Sequence, residues 1–381
     1  MNTREIIQLP LVFLVVFILF EIALQSLFPH LGAIYEPDDT LLFKLRPNAI
    51  KIRQTDGAGP VVNAINSKGI RDYEYPYEKP PGIKRVIVIG DSFVQGDVIQ
   101  FNKTLPKVIE RELNKNGSYQ VLNFGTVAYS PDQEYFLLIN EGMKYHPDIV
   151  VLAVFAGNDF NDLVRNGIFS LENGELFHRN PGLDPLFRAK FWLSSKTVMP
   201  NLIYQKILPK IRGILREEQN ASFTKESVDS RIEPTESIDN TAILLEDVQF
   251  PDVFLYPEPQ SASYKITLMD SIIGRFREAS KENGFKLIIV YVPGKFDANE
   301  TAYQKILDKY DTAGYELQLE RPSMVLKNIT GKYGIRYVNL LPEFMENWKI
   351  YFWGSDYEIH WSNEGYEVAG ERISKAVLKG D

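Results

Sequence analysis

Residues 85–96 read RVIVIGDSFVQG and decide the fold of this chain. The first five letters form a short β-branched run that ends at Gly90. A continuous apolar run of this length is typical of a strand that is buried on both faces of a parallel sheet. Asp91 and Ser92 follow at its carboxyl end, where open α/β sheets bind their ligands.

Similar strand-like runs recur along the chain and alternate with segments of helical periodicity. The predicted strands cover residues 85–89, 119–124, 148–155, 286–292 and 335–340. The predicted helices cover residues 104–114, 131–144, 264–283, 299–310, 321–333 and 363–378. This alternation predicts an α/β fold, a three-layer α/β/α sandwich around a parallel sheet of about five strands.

The chain divides into three predicted parts. Residues 1–30 are a membrane anchor, residues 31–84 an irregular or β-containing connector, and residues 85–381 the main domain. An insertion at about residues 160–263 interrupts the alternation. Its part over residues 217–262 is polar and acidic, which favours a mobile cover or partner surface outside the core.

Residues 6–28 form an apolar run with one charge, Glu21. At ~1.5 Å per residue the run is just long enough to cross a hydrocarbon core of ~30 Å. Arg4 precedes the run, and the first charges after it are acidic: Glu36, Asp38 and Asp39. This asymmetry predicts a single pass with the remainder of the chain outside the cytoplasm. A cleaved signal peptide or a buried core helix is the alternative, but no good small-x-small cleavage site follows the run.

Composition excludes several classes of function. The chain has 42 basic and 50 acidic residues and a net charge of -8, which argues against a nucleic-acid partner. It has no cysteine, so disulfides, cysteine-ligated metals and a cysteine nucleophile are excluded. It has four histidines and no phosphate-binding, dinucleotide-binding or His-Glu-x-x-His motif. We therefore expect no cofactor and no metal.

Polar groups follow the predicted strands and should share one edge of the sheet. Ser92 follows the first strand, Gly125 the second and Asn158 the third, while His360 lies just before the last helix. A histidine can activate a serine hydroxyl as a nucleophile. The amides of Ser92 and Gly125 and the side chain of Asn158 can stabilise an oxyanion. The alternative is structural, with Ser92 and Asn158 acting only as helix caps and Gly125 only as a turn residue.

These motifs resemble those of the SGNH/GDSL hydrolase superfamily. The matching segments are Gly90-Asp91-Ser92, Gly125 within NFGTVAYSPDQE, Gly157-Asn158-Asp159, and His360. The stretch INSKGIRDYEYPYEKPPG, residues 65–82, is similar to the lead-in of membrane-anchored bacterial members. The resemblance implies a flavodoxin-like sandwich, and it implies that Ser92, Gly125, Asn158 and His360 act on acyl esters without a cofactor.

The acid that would orient His360 departs from the family pattern, in which an Asp commonly stands two or three residues before the histidine. Here Glu358 lies two residues before His360 and Asp356 lies four before it. Residues two apart in an extended stretch project to the same side, which favours Glu358. Asp356 is the alternative acid if the chain turns back, and a backbone carbonyl is a third possibility.

The sequence therefore predicts a cofactor-independent serine ester hydrolase. Its predicted extracytoplasmic position suggests ester-linked acyl groups such as the O-acetyl groups of envelope polysaccharide. The expected partners are the ester substrate and, through the N-terminal helix, the membrane. Two alternatives remain, an O-acyltransferase of envelope glycans and a catalytically silent module that binds or assembles glycans on the same fold.

Overall fold

The computed structural model describes residues 3–55, 59–179, 182–199, 226–227, 252–307, 310–311, 313–353 and 359–379. Its strands are β1 (Tyr35–Asp38), β2 (Leu42–Leu45), β3 (Ile50–Thr55), β4 (Gly59–Ala64), β5 (Lys84–Gly90), β6 (Tyr119–Gly125), β7 (Ile149–Phe155), β8 (Phe169–Glu172), β9 (Glu175–His178), β10 (Glu226–Ser227), β11 (Leu255–Tyr256), β12 (Lys286–Val292), β13 (Tyr310–Asp311), β14 (Glu316–Leu317) and β15 (Arg336–Asn339). Its helices are α1 (Thr3–Leu27), α2 (Ser92–Gln95), α3 (Leu105–Leu113), α4 (Pro131–Asn140), α5 (Asp159–Asn166), α6 (Pro185–Lys196), α7 (Gln260–Asn283), α8 (Glu300–Leu307), α9 (Arg321–Tyr333), α10 (Leu341–Glu346), α11 (Trp348–Tyr351) and α12 (Asn363–Leu378).

The main sheet has five parallel strands in the order β15-β12-β7-β5-β6. The prediction of an α/β fold with a five-stranded parallel sheet is confirmed, and the predicted strands match the observed ones to within one residue at each end. The strand order is that of flavodoxin-like folds. It reverses between β5 and β7, so a ligand is expected at the carboxyl ends of these two strands.

Alternate residues of each strand face two separate cores. In β5, Val86 and Val88 belong to one core, while Ile87 and Ile89 belong to the other. The first core is closed by α3 and α12, and the second by α4, α5, α7 and α9. Both faces of the sheet are thereby covered with helices, which gives the three layers predicted from the alternating pattern.

Part of the predicted insertion belongs to the core. Phe160 on α5 is fully buried, and so are Val253, Phe254 and Leu255 just before α7. The prediction that residues 217–262 lie outside the core is therefore wrong for residues 252–255 and for Ser261 and Ala262, which are buried. Three consecutive apolar residues near the end of this acidic stretch, residues 253–255, pack into the core despite its overall polar composition. Residues 217–225 and 228–251 lie outside the described residues.

The connector forms two antiparallel hairpins, β1–β2 and β3–β4, and so agrees with the β-containing interpretation. Arg71, in the segment that follows the second hairpin, is buried and donates hydrogen bonds to the carbonyls of Gln95 and Ile99 at 2.9 Å and to that of Gly96. The connector is thus attached to the end of α2. The predicted division of the chain at residues 30 and 84 stays a prediction.

A buried ion pair adds a second attachment between this segment and the main domain. Lys107 Nζ on α3 lies 2.9 Å from Asp72 Oδ1 and donates to Val121 O at 2.9 Å. Burial raises the pKa of the Asp72 carboxyl, and the Lys107 ammonium opposes that rise. Asp72 Oδ2 in turn accepts a hydrogen bond from the backbone N–H of Asn123 on β6.

The N-terminal run predicted to span a membrane, residues 6–28, is helical and lies almost entirely in α1. In the ranges that the structure describes, no helix combines the length and the apolar character required of a membrane span.

We predict that Lys107→Met destabilises the protein mainly above neutral pH. The substitution leaves the Asp72 carboxyl buried without its counter-charge, and breaking a buried pair on one side costs ~3–5 kcal/mol. The Asp72 pKa should rise further, so the loss should be larger at pH 8 than at pH 5, where a proton can neutralise the carboxyl. Urea unfolding of the full chain at pH 5 and at pH 8 measures the two losses of unfolding free energy.

The matched control is Lys115→Met, because Lys115 pairs with Glu112 at the surface. An exposed pair contributes at most ~1 kcal/mol. Equal losses of unfolding free energy in the two variants at pH 8 would show that the buried Asp72–Lys107 pair stabilises the protein no more than an exposed pair does.

Candidate active site

Ser92 lies at the turn between β5 and α2. Asp91, not Ser92, caps this helix, because Asp91 Oδ1 accepts a hydrogen bond from the backbone N–H of Phe93 at 2.9 Å. The interpretation of Ser92 as a helix cap is therefore wrong. Its backbone N–H begins the helix, and such an N–H has no intrahelical acceptor. The hydroxyl is left available for another partner.

That partner is His360, whose Nε2 lies 2.8 Å from Ser92 Oγ. The imidazole is mostly buried and packs against the ring of Phe93 at a centroid distance of 4.9 Å. The next residue, Trp361, is fully buried and donates from Nε1 to Pro293 O at 2.8 Å. Ser362 then caps α12 with its side chain. The position of His360 is thus fixed by the buried Trp361 that follows it and by the start of α12.

Gly125 lies at the end of β6, next to α2. A Cβ atom at this position would lie 2.0 Å from the backbone N of Gln95, so no larger residue fits there. The Gly125 N–H donates to Asn123 Oδ1 at 3.0 Å. This amide therefore has an internal partner that a substrate oxygen would have to replace.

Asn158 follows β7 and precedes α5. Its side chain makes no capping hydrogen bond, so the cap interpretation fails here as well. Instead, Asn158 Nδ2 donates to Asp162 Oδ2 at 2.9 Å, and Arg165 Nη2 lies 2.8 Å from Asp162 Oδ1. One N–H of the Asn158 amide is used by this bond, which fixes the direction of the other.

Sequence reasoning missed Asp162 and Arg165. The available signal was their spacing, because residues four and three apart on a helix face one another. Asp162 follows Asn158 by four positions and precedes Arg165 by three.

Buried carboxyl groups surround the candidate site. Burial raises the pKa of Asp91 to about 7, and the charge of His360 opposes that rise. Burial also raises the pKa of Asp132 to about 7 and that of Asp162 to about 6. The pKa values of Glu134 and Asp159 are raised well above their usual range, first by burial and then by neighbouring carboxylates.

The structure brings together Ser92 and His360, which are in contact. It places Gly125 at the end of β6 and Asn158 after the end of β7, the two strands that flank β5. The candidate acids Glu358 and Asp356 lie outside the described residues, so the choice between them stays a prediction. In the described ranges, no group of three or more histidine and acidic side chains is arranged to hold a metal ion.

No protein-family model matches the sequence, and no curated protein matches it either. Several solved structures are similar to the chain. One is a lipase/acylhydrolase from Enterococcus faecalis, with 10% identity and a TM-score of 0.39 over 78% of this chain and 96% of that one. Another is a member of the lipolytic protein G-D-S-L family from Veillonella parvula, with 11% identity and a TM-score of 0.39 over 78% and 99%.

A third similar structure is an acetyl xylan esterase, with 11% identity and a TM-score of 0.36 over 77% of this chain and 99% of that one. Similarities of this size do not establish membership of a family, so the chemistry of the site rests on its own geometry.

Proposed function

We propose that this protein is a cofactor-independent serine ester hydrolase of the SGNH/GDSL type. The observation that carries the proposal is the 2.8 Å contact between Ser92 Oγ and His360 Nε2 at the carboxyl edge of a parallel sheet. A serine hydroxyl at this distance from an imidazole nitrogen can pass its proton to that nitrogen as it attacks. A module that only bound glycans would need no such pair.

In the proposed mechanism Ser92 Oγ attacks the acyl carbon of the ester and His360 Nε2 takes the hydroxyl proton. The carbonyl oxygen becomes an oxyanion, stabilised by the Ser92 N–H and the second N–H of Asn158 Nδ2. The Gly125 N–H becomes a third donor to the oxyanion when its hydrogen bond to Asn123 Oδ1 is broken. His360 then gives its proton to the leaving alcohol, and water removes the acyl group from Ser92.

The proposed third member of the triad is Glu358, with Asp356 as the alternative. For His360 Nε2 to accept the serine proton, its Nδ1 must carry a proton, and a carboxylate at Nδ1 would hold the ring in that tautomer. Glu358 is the nearer acid along the chain.

We also propose that residues 6–28 anchor the chain in a membrane, with the catalytic domain on the extracytoplasmic side. The described part of α1 exposes large apolar side chains on all sides, among them Val12, Phe13 and Leu19, and such a surface needs an apolar cover. The charges that flank the run favour this orientation. The esters within reach would then be those of the cell envelope, and O-acetyl groups of polysaccharide are the proposed substrate class.

We predict that Ser92→Ala lowers turnover of 4-nitrophenyl acetate by at least ~10⁴-fold, because the nucleophile is removed. The same variant should lose labelling by a fluorophosphonate probe. Ser271→Ala is the control, since the Ser271 hydroxyl only bonds to Thr267 O on the exposed face of α7. Unchanged turnover in Ser92→Ala would overturn the mechanism. Turnover that requires an added glycan acceptor would point to an acyltransferase.

We predict that Asp162 positions Asn158 for the reaction. Asp162→Ala should lower kcat by ~10- to 100-fold and leave KM nearly unchanged, because the amide bonds the oxyanion chiefly in the transition state. Asp162→Asn should keep more activity, since an amide oxygen still accepts a hydrogen bond from Asn158. Glu278→Ala, at an exposed ion pair on α7, should change neither constant.

The pH profile separates this role from a purely structural one. The Asp162 pKa is raised to about 6, so the carboxylate that holds Asn158 is lost as the pH falls through 6. The kcat of the unaltered protein should fall more steeply below pH 6 than that of Asp162→Asn. Parallel profiles would contradict the positioning role.

We predict that an alkaline phosphatase reporter fused after Asp381 is active in intact cells. The reporter folds only outside the reducing cytoplasm, where the proposed topology places the C-terminus. A fusion that is fully expressed but inactive would contradict the membrane placement and leave the ester hydrolase proposal standing.

A further inference from the structure

A polar cavity of about 150 Å³ lies at the end of α1, where the chain leaves the apolar helix. Its walls come from three parts of the chain: the last turns of α1, the segment between β2 and β3, and the end of α6. Among its lining residues are Gln25, Arg46, Asn48 and Lys196. The cavity is separate from the Ser92 site, because none of the site residues lines it.

Among the described residues, Arg46 is the cation of this cavity that has no counter-charge. Its Nε is buried without a hydrogen-bond partner, and its guanidinium makes no ion pair within the described residues. The other cation of the cavity, Lys196, is paired with Glu36 Oε2 at 2.8 Å. A half-buried arginine without a partner is costly, and an anion in the cavity would remove that cost.

Glu21, the single charge of the apolar run, holds in place the segment after α6 that lines the cavity. Glu21 is 5% exposed and accepts hydrogen bonds from the backbone N–H groups of Val198 and Met199, both at 2.7 Å. Gln25 Nε2 donates to Lys196 O at 2.7 Å. These three bonds hold the end of α6 against α1, so the cavity is a built feature and not a gap between loose segments.

The surface next to the cavity is apolar. On α6, Leu186, Trp192 and Leu193 expose between 48% and 64% of their surface. The neighbouring helix α1 exposes Phe20, Leu27 and other large apolar side chains. Exposed tryptophan and leucine beside basic groups are typical of protein surfaces at the boundary between lipid headgroups and acyl chains.

We propose that the cavity binds the phosphate of a glycerophospholipid headgroup, with the lipid's acyl chains lying along the exposed faces of α1 and α6. The planar guanidinium of Arg46 would form two parallel charge-assisted hydrogen bonds to the phosphate oxygens. Gln25 and Asn48 have side-chain amides that can donate to the same group. This inference rests on the membrane placement of α1 proposed above, but not on the ester chemistry.

The full chain, extracted in dodecyl maltoside, is titrated with phosphatidylglycerol, and bound lipid is counted by native mass spectrometry. We expect one lipid to remain on the unaltered protein and Arg46→Gln to weaken its binding by at least ~10-fold, the loss of a charge-assisted bond. Arg46→Lys keeps the positive charge but lacks the two parallel N–H donors of the guanidinium, so its lipid affinity should lie between those of the unaltered protein and Arg46→Gln. Arg372→Gln is the control, because Arg372 is exposed on α12 near Glu343.

Equal lipid binding by Arg46→Gln and the unaltered protein, with equal thermal unfolding, would overturn the proposal. A large excess of inorganic phosphate should not displace the lipid, since phosphate alone lacks the acyl chains. Displacement at equal concentrations would show a site for free phosphate instead.

Two further measurements separate the test of lipid binding from the tests of ester hydrolysis and membrane placement. Ser92→Ala should bind the lipid normally, so a loss of ester hydrolysis does not affect the outcome. If the unaltered chain needs no detergent to stay in solution and binds no lipid, both the membrane placement and the lipid site fail together while the ester hydrolase proposal remains.

Discussion

The hydrogen bond between Ser92 and His360 joins residues 268 positions apart in the sequence. The fold brings these two residues into contact. Ser92 is placed by β5, the strand next to which the sheet order reverses. His360 is placed by Trp361, which is buried in the core between β12 and α12 and bonded to Pro293 O. Because parallel strands present all their carboxyl ends at one edge, residues distant in sequence meet there with little adjustment of the backbone.

Four buried carboxyl groups lie near the contact between Ser92 and His360. Asp91, Glu134, Asp159 and Asp162 are buried near one another, and each has a raised pKa because water cannot solvate its charge. Arg165 is the cation that supports Asp162. In the proposed mechanism, a negative charge at Asp91 would lie close to the point at which His360 takes the serine proton. The same charge opposes an oxyanion, which makes well-directed N–H donors all the more necessary.

Much of the fold and the contacting pair could be predicted from sequence, because short β-branched runs specify buried strands and strand ends specify the site. Strand β12, predicted and observed over residues 286–292, illustrates this. Side-chain partners could not be predicted in the same way. The bond from Asn158 to Asp162 depends on where α5 begins, and the bond from the Gly125 N–H to the Asn123 side chain is made within a single strand, β6. Residues 252–255 were misjudged because their burial depends on distant helices and not on local composition.

The central claim is that Ser92 carries the acyl group during turnover. It is tested most directly by mixing the protein with 4-nitrophenyl acetate, quenching with acid within the first turnover, and mapping the acetyl group by peptide mass spectrometry. The account predicts an acetyl group on the peptide that contains Ser92, and none on the same peptide from Ser92→Ala. Rapid release of nitrophenol with no acetyl group on Ser92 at any time would contradict it.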